Sequence, residues 1–139
     1  MVMELLPTAP VSLPDPPYLA VIFVSYAQQG RDEELYAASL ASMVQLARST
    51  PGYLGMDASV SNLGSIAVAY FRDEESLAAF RDHPDHAPIQ KLGREQFFAN
   101  YAFRLAVVHR SNSREGGVQS AIPAGGLFAG TTQQVPESP

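Results

Sequence analysis

The stretch YLGMDASVSNLGSIAVAYF, Tyr53 to Phe71, holds two β-prone runs, Tyr53–Val60 and Ser65–Phe71, on either side of Ser61-Asn62-Leu63-Gly64. Asn62 and Gly64 suit positive φ, so the spacing predicts a β-hairpin closed by a four-residue loop. What flanks this hairpin decides the fold. Upstream, Tyr36, Leu40, Met43, Val44 and Ala47 recur at i, i+3, i+4 spacing, which predicts a helix to about Arg48. Gly30 and Asp32-Glu33-Glu34 supply its turn, N-cap and acidic first turn, and STPGY stops it. Before that helix lies YLAVIFVSY, Tyr18–Tyr26, rich in the β-branched and aromatic residues of a strand. Downstream, Asp73 caps a second helix with Leu77 and Phe80 on one side, and YAFRLAVVHR, Tyr101–Arg110, alternates as a last strand.

The order is therefore βαββαβ, which predicts an α+β, ferredoxin-like fold with four antiparallel strands and both helices on one face of the sheet. In Ser65–Phe71 both faces are apolar, with Ile66, Val68 and Tyr70 alternating against Ala67, Ala69 and Phe71. Two helices cover only one face, and an antiparallel sheet normally leaves the other polar. A second copy is the simplest cover, so the pattern predicts a homodimer whose sheets face each other as a dimeric α+β barrel.

Composition narrows the function classes. The 139 residues suit one domain, and nine basic against fourteen acidic residues, with no basic cluster, argue against nucleic acid as a partner. The longest purely apolar run, Leu19–Val24, is too short for a bilayer and follows no basic leader, so a soluble, cytoplasmic protein is expected. The absence of cysteine excludes disulfides, thiolate catalysis and cysteine-based metal sites. Residues 1–17 carry five of the eleven prolines and read as an extended arm; residues 111–139, rich in Gly, Ser and Pro, read as a tail. Val118, Ile122, Leu127 and Phe128 could dock that tail on a neighbouring surface. The domain proper is then 18–110.

That domain resembles the antibiotic biosynthesis monooxygenase family of dimeric α+β barrels. The resemblance rests on YLAVIFVSY, MVQLARSTPGYLGMD, IAVAYFRDEESLAAFRDHPDH and GREQFFANYAFRLAVVHR. It implies a homodimer with one pocket per subunit, between the helices and the sheet. It also implies either cofactor-independent oxygenation of an aromatic molecule or haem chemistry, since the family includes both. Haem-degrading relatives use a tryptophan, an asparagine and an axial histidine, and the cofactor-free oxygenases contact substrate through Trp, Tyr, Asn and Arg. This chain has no tryptophan. The expected chemistry is thus cofactor-free oxidation of a small phenolic or enolic substrate, with a non-catalytic binding barrel, for haem or another small molecule, as the alternative.

The residues that could carry chemistry centre on FRDHPDHAPIQ, Phe80–Gln90. Pro84 should end the second helix near His83, and Asp85 then caps a short helix His86–Leu92 that stops at Gly93. His83 would lie at a helix C-terminus, which favours the imidazolium, and His86 at an N-terminus, which favours the neutral ring; Asp82 and Asp85 would push both towards the cation. No third ligand completes a metal set, so no metal is expected. A general base, an axial haem ligand and a solvated helix junction remain open readings for the pair. Asn100 and Arg104 could hold an anion, or Arg104 could form a dimer salt bridge. Tyr26, Tyr70, Phe80, Phe97 and Tyr101 offer faces for a flat aromatic ligand. His109 reads as rim or interface.

Overall fold

The computed structural model describes residues 7–114, so the apolar residues expected to dock the C-terminal tail lie outside the described residues. The chain runs β1 (Tyr18–Ala27), α1 (Glu33–Ser49), β2 (Tyr53–Val60), β3 (Gly64–Phe71), α2 (Glu74–Arg81), α3 (His86–Leu92), a π-helical turn (Gly93–Phe97) and β4 (Phe98–Val108). The strands form one antiparallel sheet in the order β2-β3-β1-β4, which is the ferredoxin-like arrangement.

The helix ends follow their local chemistry. Asp32 accepts from the Leu35 amide at 3.0 Å and caps α1. Asp73 accepts from the Ser76 amide at 2.8 Å and from its hydroxyl at 2.7 Å, and these bonds hold its carboxyl below the usual range. At the other end of α1, Thr50 turns its hydroxyl back to the Leu46 carbonyl at 2.9 Å, and Gly52 at φ 89° redirects the chain into β2.

Three local readings are corrected. No non-glycine residue among those described has positive φ, so Asn62 does not adopt it, and Gly64 does not either. Gly64 is required for a different reason: a Cβ there would collide with the backbone carbonyl oxygen of Ser25 on β1. Asp85 occupies the position before α3, but its side chain makes no capping bond, because its own backbone is already helical at φ −73°, ψ −14°. Gly93 does not stop the helix. Its backbone stays right-handed, and the chain continues through the π-turn to Phe97, so β4 starts at Phe98 and leaves His109 and Arg110 beyond its end.

Alternation along the strands divides the sheet into two faces. Val21, Phe23, Ala67, Ala69, Phe71, Met56 and Ala58 face the helices; Ile22, Val24, Ile66, Val68, Tyr70 and Asp57 point to the outer face. Phe71 and Phe97 are the largest fully buried side chains of the helix side. The helices pack over the β2–β3 half of the sheet. On β4, an edge strand, Tyr101, Phe103, Leu105 and Val107 therefore stay 43–62% exposed, although they point to the helix side.

Candidate functional site

A cavity of about 310 Å³ lies between the helices and the sheet. It exists because β2 and β3 send small side chains inward: Ala58, Ser65, Ala67 and Ala69 form its floor, while the large Ile66, Val68 and Tyr70 point away. The stripe expected on α1 forms the roof, with Tyr36, Leu40, Met43, Val44 and Ala47 all at its wall, joined by Leu77 and Phe80 of α2. The lining is mostly apolar, as a site for a small organic molecule requires.

The polar groups converge on one side. His86, Gln90 and Arg94 follow one another at i, i+4, i+8 and all reach the cavity, the last of them carried there by the π-turn. His86 is buried, and its ring lies against Phe80 with centroids 4.4 Å apart. Its Nδ1 is 3.3 Å from the Arg81 carbonyl oxygen and 3.3 Å from Gln90 Nε2. A carbonyl can only accept, so the bond to Arg81 needs the proton on Nδ1 and leaves the lone pair on Nε2; the Gln90 amide nitrogen, itself a donor, is then a neighbour of Nδ1 and not its hydrogen-bond partner. Burial, opposed by the Arg81 carbonyl and reinforced by His83, holds the imidazole below its ordinary pKa of 6.5. His86 is thus a neutral imidazole at the wall of an apolar cavity.

Among the residues lining the cavity, Arg94 carries the one formal charge. Tyr36 and Tyr53 add hydroxyls whose pKa values burial pushes up, so they act as hydrogen-bonding phenols at neutral pH. The Arg31 guanidinium sits 3.8 Å from the Tyr36 ring centroid and 3.4 Å from the Phe97 carbonyl oxygen, which ties the loop before α1 to the π-turn.

Of the residues singled out in the sequence, His86, Phe80, Phe97 and Tyr101 line the cavity. His83 does not: it is partly exposed, with Nδ1 accepting from the Asp85 amide at 3.0 Å. Tyr26, Tyr70, Asn100 and Arg104 do not either, because strand alternation turns them to the outer face, where Tyr26 stands opposite Asn100 and Ile22 opposite Arg104. There Tyr70 donates to Asp57 at 2.9 Å, and burial and that carboxylate raise its pKa. Gln90 and Arg94 escaped the sequence reading. For Gln90 the signal was its i+4 spacing from His86 inside the expected helix His86–Leu92; for Arg94 the same spacing was hidden by the expectation that Gly93 ends the helix.

Among the described residues no group of three or more His, Asp or Glu could hold a metal ion. For haem, the fitting residues are His86, which would offer Nε2 to the iron, and Arg94, which would face a propionate. No helix of the described residues is long and apolar enough to cross a membrane.

No protein-family model matches the chain. It is 34% identical over 98 residues to the uncharacterised protein YqjZ of Bacillus subtilis, an overlap of 70% of this chain and 84% of YqjZ. The chain belongs to the YqjZ family.

Solved structures share its fold at lower identity. SnoaB, a cofactor-independent oxygenase of Streptomyces nogalater, is 9% identical, with a TM-score of 0.59 over 69% of this chain and 97% of its own. A Nitrosomonas europaea protein named for the antibiotic biosynthesis monooxygenases is 9% identical, with a TM-score of 0.55 over 70% of this chain and 95% of its own. A dimeric ferredoxin-like protein of Thermobifida fusca is 14% identical, with a TM-score of 0.55 over 66% of this chain and 92% of its own. This member of the YqjZ family thus has the fold of the antibiotic biosynthesis monooxygenase group, as the sequence resemblance implied.

Proposed function

We propose that this protein is a cofactor-independent monooxygenase for a small, flat phenolic or enolic molecule, working in the cytoplasm as a homodimer. The observation that carries this reading is His86: a neutral imidazole, its Nδ1 hydrogen bonded to a backbone carbonyl, at the wall of a largely apolar cavity. The fold shared with SnoaB supports the reaction class.

His86 Nε2 takes the acidic proton of the bound substrate, whose electron-rich carbon then passes an electron to dioxygen. The two radicals combine at that carbon. As the O–O bond breaks, one oxygen stays as a carbonyl on a carbon that has lost two hydrogens, and the other leaves with them as water. The apolar floor keeps solvent from quenching the carbanion, Arg94 holds the oxyanion of the deprotonated substrate, and the Tyr36 and Tyr53 hydroxyls are available to orient it. Asn100 and Arg104, on the outer face, take no part in this chemistry, and Arg104 is available for a salt bridge between subunits.

Oxygen uptake with an anthrone-like phenol tests the reading. Stoichiometric uptake by the wild type, lost in His86→Ala, is expected. Binding of the phenol without uptake would instead support a non-catalytic binding barrel. A Soret shift on adding haem, lost in the same variant, would direct the site to haem.

A further inference from the structure

The outer face of the sheet is not uniformly bare. Residues 7–17 precede β1, which is separated from β2 by β3. Yet the Val11 amide donates to Asp57 Oδ1 on β2 at 2.8 Å, so residues 12–17 must cross β3 to reach Tyr18. The same Asp57 accepts from the Tyr70 hydroxyl through Oδ2, which places the crossing on the outer face. Gly55 marks the closest approach: a Cβ there would stand 2.6 Å from Val11 Cγ2. Val11, Leu13 and Pro16 are half-buried, while Ser12, Pro14, Asp15 and Pro17 are exposed.

Exposure along the face follows the arm. Tyr18, where the arm joins β1, is 4% exposed; Tyr26, at the far end of the same strand and on the same face, is 56% exposed. Ile66, opposite Val24, is bare as well. The covered end shows Ser12, Asp15 and proline to solvent, and the uncovered end shows Tyr26 and Ile66.

We propose that residues 7–17 form a strap, latched by Asp57, that closes the Tyr18–Tyr70 end of the outer face against a second copy and confines pairing to the Tyr26–Ile66 end. The confinement rests on the homodimer reading; the cover does not. Val11→Pro removes the amide hydrogen that Asp57 accepts while leaving the chain complete.

Sedimentation of the full chain, Val11→Pro, Ser12→Arg and Ile66→Glu across a concentration series tests the strap. Ile66→Glu is expected to weaken dimerisation tenfold or more, whereas Ser12→Arg, on the strap's outer side, leaves it within twofold. Val11→Pro is expected to populate species larger than the dimer and to speed proteolytic cleavage before Tyr18. A Ser12→Arg variant as impaired as Ile66→Glu would place the strap inside the interface and overturn the proposal. So would a Val11→Pro variant whose association and cleavage match the wild type. If the wild type is monomeric, the dimer reading fails. The strap then stands if Val11→Pro alone self-associates, and falls if it does not.

Discussion

Phe80 covers one face of His86, ring centroid to centroid at 4.4 Å with the planes inclined by 39°. The two residues come from consecutive helices, α2 and α3, broken apart by Pro84, so the junction that ends one helix also stacks an apolar ring on the first residue of the next. That contact helps remove the imidazole from water, and desolvation is the leading cause of its lowered pKa.

His86 should therefore titrate below 6.5, and Phe80→Ala should move it up towards that value in an NMR titration. The sign for stability follows from linkage. The unfolded chain takes up this proton at a higher pH than the folded one, so the neutral ring's contribution is complete above about 6.5 and is lost as pH falls through the folded pKa. Denaturant midpoints measured from pH 8 to 4 should show a decline that is shallower in His86→Gln. Catalysis should share the lower limb, and His86→Ala should cost roughly 10²–10⁴-fold in turnover, the usual worth of a positioned base. A turnover that is flat across this range would remove His86 from the reaction.

Arg94 is the charged group of the lining, so its removal should discriminate between ligands rather than weaken all of them. Arg94→Met should cost an acidic phenol about 1.5–3 kcal/mol of binding, the range for a hydrogen bond to a charged group, and leave its neutral methyl ether almost unaffected. Calorimetric titration with the two ligands reads the difference directly. Equal losses would show that Arg94 shapes the cavity without reading charge.

The order of elements was legible because each has a strong local signal: the alternation of Tyr101 to Val107, the five-residue stripe of α1, and Asp32 and Asp73 at helix starts. Gly64 was noticed for a wrong reason. Its role is a close approach to Ser25, 39 positions earlier in the chain, and that contact exists only once β1 and β3 pair. The site divided along the same line. His86 and Phe80 were found because Pro84 and the helix period are local, but Tyr70, Asn100 and Arg104 were drawn to the cavity on residue type alone. Strand parity decides their face, and parity needs one residue of known direction in each strand. Arg94 was hidden by a π-turn, whose extra residue per turn has no composition signature of its own.

Gly64→Ala tests the corrected reason for that glycine. Backbone meets the new methyl on β1, with no flexible side chain to yield, so the sheet itself must shift. A loss of about 1–3 kcal/mol in urea denaturation is expected, typical of overpacking. Asn62→Ala, in the same loop but without positive φ, should be close to neutral. If the two substitutions cost the same, the loop conformation and not the contact with β1 is what limits residue 64.

The alanines of β3 offer the sharpest test of whether the cavity is used. Ala69 points into it from the floor, between Met56 on β2 and Val21 on β1. In a filled core, Ala69→Leu would overpack and cost about 1–3 kcal/mol. Here the added side chain enters about 310 Å³ of space between sheet and helices. It should therefore leave the thermal midpoint unchanged or raise it, in line with the roughly 0.5–2 kcal/mol gained by filling cavities. If this space is the binding site, the same substitution should abolish binding of the phenolic ligand while His86 still titrates as in the wild type. Stability gained with binding intact would show that the ligand lies elsewhere, and that the small residues of β3 leave a void without a function.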